Sequence, residues 1–418
     1  MKSFYSLVTF ITLSASLMAQ AVTDTVSTGA SYANQVWYSL NNDEVARSSK
    51  DNWDIAFEAE GFTASILVNT QKGLALYQTP FGVADWASFD TTGLSTWEQL
   101  IDSDTSWGYG AFNHSSMSTF DLGWGTYNLN THVVTGDSIY ALKLANGDWK
   151  KIKIDQLANG VYDFTYADVD GSNEVSASIA KDDMLGKSFG YYSFADQDTV
   201  MREPNKDAWD ITFTRYSTII NAPAPTVYSV TGVLANQGVL IAEATGVDVN
   251  TVNYNGLAFG TEINTIGYDW KAYDNVNMVF TITDSLAYFV QLTNGEIWKL
   301  VFTGFGGSSN GNYIFSKELV YDPAVTGIED LESKAQMLVY PNPSNGTNTE
   351  LVYSIGNAVD NAVVNVYDLT GRNVLSTLAD ANTGLHRLTL NTANLVKGMY
   401  IVRLSTGSAH LEQKLIIE

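Results

Sequence analysis

Ser48-Ser-Lys-Asp-Asn-Trp-Asp-Ile-Ala-Phe57 and Asn205-Lys-Asp-Ala-Trp-Asp-Ile-Thr-Phe213 are two versions of one stretch, with Trp53 and Trp209 lying 156 positions apart. Each is preceded by a related segment, Gly29-Ala-Ser-Tyr32 in the first case and Gly186-Lys-Ser-Phe189 in the second. Further on, Leu122-Gly-Trp-Gly-Thr-Tyr127 answers Ile266-Gly-Tyr-Asp-Trp-Lys-Ala-Tyr273, with both Trp124/Trp270 and Tyr127/Tyr273 offset by 146. A third pair follows in the same order: Asp137-Ser-Ile-Tyr140 with Asn146-Gly-Asp-Trp-Lys150, and Asp284-Ser-Leu-Ala-Tyr288 with Asn294-Gly-Glu-Ile-Trp-Lys299. Constant order and a nearly constant offset imply two copies of one domain.

Each copy reads as β-structure. Asn146-Gly147 and Asn294-Gly295 separate alternating apolar runs, the signature of a hairpin whose tight turn needs positive φ. Aromatics at 12%, only 7 Pro, and frequent Thr, Ser and Asn fit many short strands joined by polar turns. Turn formers or charges replace the alternation near Asp170-Gly-Ser-Asn173 and from Asp322 to Ser333. The expected architecture is all-β: two tandem antiparallel domains, 21–172 and 173–322, a linker 323–336, and a C-terminal Ig-like β-sandwich, 337–418. Ahead of these, Lys2, the apolar run Phe4 to Met18 and Ala19-Gln20-Ala21 make residues 1–20 an expected secretory signal peptide, cleaved after Ala19 or Ala21.

Composition narrows the function. Lys and Arg total 22 against 45 Asp and Glu, a formal charge of −23, so the chain lacks the basic face that nucleic acid or an acidic membrane surface requires. From residue 337 onward acids and bases nearly balance, which leaves the acidity with the duplicated part. Absence of cysteine excludes thiolate nucleophiles, disulfides, Cys-ligated zinc, iron–sulfur clusters and covalent c-type haem attachment. No metalloprotease helix motif, nucleophile elbow or phosphate-binding Gly loop is present, so the chain reads as a binding protein and not an enzyme.

The last segment carries four motifs in order: Val339-Tyr-Pro-Asn-Pro343, Val363-Val-Asn-Val-Tyr-Asp-Leu-Thr-Gly-Arg372, Leu395-Val-Lys-Gly-Met-Tyr-Ile-Val-Arg-Leu404 and Lys414-Leu-Ile-Ile-Glu418. It resembles the C-terminal sorting domain of the type IX (Por) secretion system. That resemblance implies the type IX machinery as partner, export across the outer membrane, removal of the tail, and a secreted or surface location.

The repeated Trp-Asp-Ile-Ala-Phe motif, with Ile66-Leu-Val-Asn-Thr70, then Trp124, Tyr127 and His132-Val133, then Tyr140, Asn146-Gly147 and Lys150, resembles the HmuY-like haem-binding family. The resemblance implies non-covalent haem held between two His or Met side chains, with haem, a haem-carrying host protein and an outer-membrane receptor as possible partners. On chemistry alone, haem iron takes a neutral imidazole or a thioether in an aromatic-rich cleft. His132 follows Trp124 and Tyr127, and by the 146 offset it falls on Met278, so both copies place a candidate ligand at one position. His114 and Met117, in the loop Phe112-Asn-His-Ser-Ser-Met117, are candidates for the second axial ligand; that loop is longer than its counterpart Phe259 to Ile263. The bland alternative is a His and a Met filling equivalent half-buried strand positions.

Three further readings stay open. Asp168-Val-Asp-Gly-Ser-Asn-Glu174 alternates oxygen donors around a Gly turn, which Ca²⁺ could use, although it lacks the twelve-residue EF-hand spacing. Glu58 and Glu60, two apart, could serve as a glycosidase pair, or more simply as same-face strand charges. Trp86, Trp97 and Trp107 could stack sugars. Hence the alternative function is a surface adhesion or carbohydrate-binding β-module that keeps the fold without haem.

Overall fold

The computed structural model describes residues 21–323 and 337–418, apart from 62, 119, 222–223, 345–346, 356–358, 360 and 407–408. The expected signal peptide and nearly all of the expected linker lie outside the described residues. The chain divides into two compact units at Val320/Tyr321. Both are all-β as the alternation predicts, and among the described residues the only helical pieces are short 3₁₀ turns.

The first unit opens with β1 (Val22–Ser27), β2 (Asn34–Ser39) and β3 (Asp43–Ser49). There follow β4 (Ile55–Glu58), β5 (Ile66–Val68), β6 (Ala75–Gly82), β7 (Gln99–Leu100), β8 (Gly125–Asn128) and β9 (Val133–Gly136). After β10 (Ser138–Lys143), β11 (Trp149–Ala158) and β12 (Val161–Asp168) the series restarts with β13 (Val175–Ala180), β14 (Phe189–Ser193) and β15 (Asp198–Val200). It continues with β16 (Ile211–Asn221), β17 (Pro225–Ala235), β18 (Leu240–Thr245), β19 (Lys271–Asp274) and β20 (Val279–Ile282). β21 (Leu286–Gln291), β22 (Ile297–Phe305) and β23 (Asn312–Tyr321) close it.

The duplication is plain in the sheets. One sheet runs β1-β23-β22-β21-β18, and another contains the matching path β13-β12-β11-β10-β6, extended by β7 and by the β8-β9 hairpin. Two four-stranded sheets correspond in the same way, β15-β14-β4-β5 and β3-β2-β16-β17. The sheets, however, do not part at residue 172. β1 pairs with β23 and β2 with β16, while β14 pairs with β4 and β13 with β12. Each copy therefore lends its first three strands to the sheets of the other. One core joins Val26, Val36, Tyr38 and Leu40 to Ile211, Phe213, Trp270, Tyr288 and Phe315; the other joins Ile55, Phe57, Trp124, Tyr140 and Phe164 to Ile179, Tyr192 and Phe194.

The Trp-Asp-Ile motif holds this exchange together. Asp54 donates its backbone N–H to Tyr192 O at 2.8 Å, and its carboxylate accepts the Phe194 N–H at 2.8 Å. In the other copy Asp210 N–H donates to Tyr38 O at 2.8 Å, and the Asp210 carboxylate accepts the Leu40 N–H at 2.7 Å. Two equivalent asparagines brace the turns before the motif: Asn69 donates to Lys50 O and Trp53 O, and Asn236 to Lys206 O and Trp209 O. Buried backbone groups need partners, and these side chains supply them where the strand ladder stops. The same motif thus makes strand, core and clip.

Strand β10 departs from the expected alternation, its Ile139–Leu142 being continuously apolar. Tyr140 and Leu142 enter the main core, whereas Ile139 and Ala141 face a second cluster with Phe89, walled by Phe81, Trp86, Trp97 and Trp149. A strand buried on both faces cannot alternate.

The second unit is a seven-stranded sandwich. A sheet of β24 (Met337–Tyr340), β25 (Asn348–Ile355) and β28 (Gly384–Asn391) accompanies a sheet ordered β27 (Asn373–Ala379), β26 (Ala362–Asp368), β29 (Gly398–Thr406), β30 (Ala409–Ile417). Val339, Leu351, Val364, Val366, Val402 and Leu415 form its core. The Asp368-Leu-Thr-Gly-Arg372 motif is the β26-β27 turn: the Asp368 carboxylate accepts the N–H groups of Thr370 and Arg372, and Gly371 takes φ +83°. The Thr370 hydroxyl, which donates to it at 2.6 Å, and the Arg372 and Thr370 N–H groups hold the Asp368 carboxyl down at about 2.

Candidate functional site

The two residues singled out by the 146 offset do occupy one structural position. His132 and Met278 end the loops of the hairpins β8-β9 and β19-β20, with φ of +58° and +59°. The turns match bond for bond. His132 N–H donates to Asn128 O and Met278 N–H to Asp274 O, both at 2.8 Å, while the Asn128 and Asp274 side chains each accept two loop N–H groups. A tyrosine touches each: Tyr127 OH lies 2.7 Å from His132 Nδ1, and Tyr273 OH donates to Met278 Sδ at 3.6 Å. Left-handed backbone at a non-glycine residue is uncommon, so the equivalence reflects a shared turn. Both residues are exposed and in turns, not half-buried in strands.

His132 borders a concavity of about 320 Å³ whose other walls include Phe120, Leu122, Tyr127, Val134 and Leu157. Neither His114 nor Met117 lines it. His114 follows the 3₁₀ turn Ala111–Asn113, with Nε2 3.4 Å from a Glu98 carboxylate oxygen, and Met117 is 88% exposed. The expected axial pair is therefore not assembled around this concavity. Among the described residues no group of three or more His, Asp or Glu side chains is placed to hold a metal ion. In the Asp168–Glu174 loop the Asp168 carboxylate is taken by Lys150 at 2.8 Å and by Asn173 at 2.6 Å. Glu58 is buried and accepts from Thr63 and Ser65, whereas Glu60 pairs with Lys206, so these two carboxylates serve different neighbours.

A second concavity lies between the two cores. Its volume is about 100 Å³, and its apolar walls are Trp53, Trp107, Phe189 and Leu234. Segment Asp102–Trp107 of the first copy reaches across to the second to form one side. Trp107 Nε1 donates to Ala235 O at 2.8 Å, Thr218 donates to the Asp104 carboxylate at 2.6 Å, and Ile263 N–H donates to Thr105 O at 3.1 Å. Opposite, Gln71 spans from Ser217 to Ser229. The neighbouring Arg202 is buried, stacked on Trp37, Trp53 and Tyr191, and donates to Gln35, Asn52 and Ser49. Beside it Glu203 accepts from Ser188 N–H and Tyr191 OH, and burial pushes its carboxyl up.

Asp102 lines the same cleft. Desolvation raises its carboxyl to about 7 even though the Val68 and Ala111 N–H groups donate to it. Four buried polar atoms without a hydrogen-bond partner, Ser188 Oγ, Trp209 Nε1, Arg215 Nε and Tyr216 OH, belong to cleft-lining residues, with Arg215 and Tyr216 consecutive in β16 and so on opposite faces of its sheet. Trp53, Trp107 and Trp209 stand out in the sequence as aromatics, but Gln71, Asp102, Arg202 and Arg215 do not. Those polar residues sit in no repeated motif, and only the exchange of strands brings them together.

No curated protein matches this chain. One solved structure, titled a novel fungal alcohol oxidase with catalytic diversity among the AA5 family, in complex with copper, is 8% identical over 96% of this chain and 99% of that one. Its TM-score of 0.17 carries no argument about fold or chemistry. The family model described as a secretion system C-terminal sorting domain matches residues 338–418, the seven-stranded sandwich. No helix among the described residues is long and apolar enough to cross a membrane. Residues 338–418 are thus a type IX (Por) secretion system sorting domain, which engages that machinery and sends the chain to the cell surface or beyond it.

Proposed function

We propose that residues 22–321 act outside the cell as a capture module without catalysis, of the adhesion or small-ligand-binding kind, with the ligand seated in the cleft between the two cores. The observation that carries this reading is the lining of the cleft: the aromatic walls Trp53, Trp107 and Phe189 stand beside Gln71 and the carboxyl groups of Asp102, Asp104 and Glu203 around a space of about 100 Å³. Apolar walls with a few placed polar groups are what a small-ligand site presents. The sorting domain supplies the setting, because a protein delivered outside the cell meets its ligands there.

The test is hydrogen exchange on the full chain with a library of sugars, amino acids, short peptides and haemin. A ligand of the cleft slows exchange in Val68–Gln71, Asp102–Trp107 and Thr214–Ser217 together. Protection confined to residues outside these segments, or none with any library member, refutes the reading.

One observation favours haem capture as the second reading: the His132 imidazole stands at the rim of an apolar concavity beside Tyr127, in the segment whose motifs resemble the HmuY-like family. A haemin titration followed at the Soret band tests it. A saturable, sharpened band lost in His132→Ala supports ligation there, and with it a haem-carrying host protein and an outer-membrane receptor as partners. A free-haemin spectrum unchanged by the substitution removes all three.

A further inference from the structure

We infer that the open edge of β17, Val227–Thr231, is the docking surface for a second copy of this chain, paired antiparallel to it across a twofold axis so that the two sheets β3-β2-β16-β17 become one.

The edge begins with the sequence. From Tyr216 to Ala242 there is no charged residue, in a chain of formal charge −23. Thr226, Val227, Tyr228, Ser229, Val230 and Thr231 favour a strand, and the β16-β17 register runs without a bulge from Ile211 opposite Ala235 to Asn221 opposite Pro225. The counterpart hairpin of the first copy, β4-β5, has strands of only 4 and 3 residues. The fold itself therefore does not need the extension.

Backbone direction separates the shared part of the edge from the added part. In β5 the outward N–H groups of Ile66 and Val68 donate to the Asn113 and Asp102 side chains, both at 3.0 Å. At the equivalent positions of β17, Val233 N–H donates to Gly267 O at 3.0 Å and Ala235 N–H to Ile263 O at 2.7 Å. Outward groups recur at every second residue of an antiparallel edge, so those of Val227, Ser229 and Thr231 point the same way. Lys271 Nζ donates to Thr231 O at 2.7 Å. The three N–H groups, and the carbonyls of Val227 and Ser229, have no partner among the described residues. Both copies thus cap the stretch they share, and the second leaves its own extension open.

The other edge of the same sheet is guarded. β3 carries Asp43, Glu44 and Arg47, and its pairing with β2 is broken by a bulge between Trp37 and Tyr38. β17 has neither device, and its one proline stands at its first position. Instead Ile219 and Tyr228, each 54% exposed, flank its free part, one on each face of the hairpin.

Symmetry and charge choose the occupant. A strand copied by a twofold axis satisfies itself, each outward N–H meeting an outward carbonyl of the same segment. Two chains this acidic repel least where neither carries charge, and this hairpin is such a place. A basic partner would seek carboxylates, and the hairpin offers none.

The experiment is sedimentation equilibrium of the full chain over a range of concentration at low and high salt, with residue-resolved hydrogen exchange on the same samples. A monomer–dimer equilibrium is expected, tighter at high salt because screening weakens the repulsion between two acidic bodies. Exchange at Val227, Ser229 and Thr231 should slow as concentration rises, while Tyr228 and Val230, whose N–H groups face β16, stay slow throughout. Val227→Pro removes an outward N–H and keeps the β16 ladder, and Tyr228→Lys sets a charge beside the edge in both chains. Each should raise the dimer dissociation constant about tenfold or more and leave melting of the dilute monomer unchanged. If Val227→Pro fails to fold, Tyr228→Lys, at an exposed position, decides alone.

A chain that stays monomeric at every concentration and salt overturns the inference, and so does a dimer that neither variant weakens. A dimer that loosens as salt rises overturns it too, because charge would then be holding it. None of these outcomes touches the cleft, whose occupancy is read from other segments.

Discussion

The exchange of strands makes a sharp prediction about where the chain can be cut. A fragment ending at residue 172 keeps β4–β12 but loses β13, β14 and β15, and with them Ile179, Tyr192 and Phe194, which are 2%, 2% and 8% exposed in the core they complete. Burying each such side chain contributes about 1.5–3 kcal/mol, so the loss is on the order of 5–9 kcal/mol before the missing ladder bonds of β14 to β4 are considered. Domains are stable by only about 5–15 kcal/mol, so fragment 21–172 should not melt cooperatively. Its β1–β3 would also expose Val26, Val36, Tyr38 and Leu40, all buried against the second copy. Fragment 50–205 contains every strand of the first-copy core and should fold alone. Circular dichroism melts and dispersed amide spectra of the two fragments decide the matter. A cooperative transition in 21–172 together with an unfolded 50–205 would refute the exchanged topology.

Two further outcomes follow from individual carboxylates. Asp54→Ala and Asp210→Ala each remove a charged acceptor from a buried N–H just past a strand end, that of Phe194 at 2.8 Å and that of Leu40 at 2.7 Å, and each should lower unfolding free energy by about 1.5–3 kcal/mol in denaturant titrations. Loss of under half a kcal/mol from both would show that the clips are incidental. Asp102 is raised to about 7 by burial, whereas an unfolded-state Asp titrates near 3.9, so between those values the folded chain binds more protons and stability falls as pH rises. Asp102→Asn keeps an acceptor for Val68 and Ala111 without the charge. Its advantage in melting temperature over the wild type should be small near pH 4, grow through pH 7 and then level off; a pH-independent difference would contradict the assignment.

Much of the architecture was legible in the chain. Asn-Gly turns between alternating runs marked β10-β11 and β21-β22 as hairpins, and both exist as paired strands. The four tail motifs marked the sorting domain, and residues 338–418 match it. Equivalence of His132 and Met278 was legible too, down to the tyrosine five residues earlier. Its conformation was not: a positive φ at the end of a hairpin loop leaves no trace in apolar periodicity, so the bland alternative put two exposed turn residues at half-buried strand positions. Sequence likewise cannot distinguish a copy that keeps its first three strands from one that gives them away. Local pattern is identical in both cases, and the difference lies in loop geometry around Ser49–Trp53 and Val200–Trp209. The cleft depends on that difference, which is why its Gln71, Asp102 and Arg215 carried no signal.

Pairing of β1 with β23, from Val22 opposite Lys317 to Ser27 opposite Asn312, ties the first strand of the first unit to its last. During synthesis β1–β3 wait for partners that emerge after β15, whereas everything the first-copy core needs is present once β15 is out. The two cores therefore mature in sequence, and the later one closes a loop of nearly the whole unit, a slow and entropically costly step. A chain cut short anywhere before β23 keeps an unpaired β1 edge beside an incomplete core, a surface that associates with other strands. Completion of the first unit waits on its final strand, so products cut short before β23 present this edge to proteases.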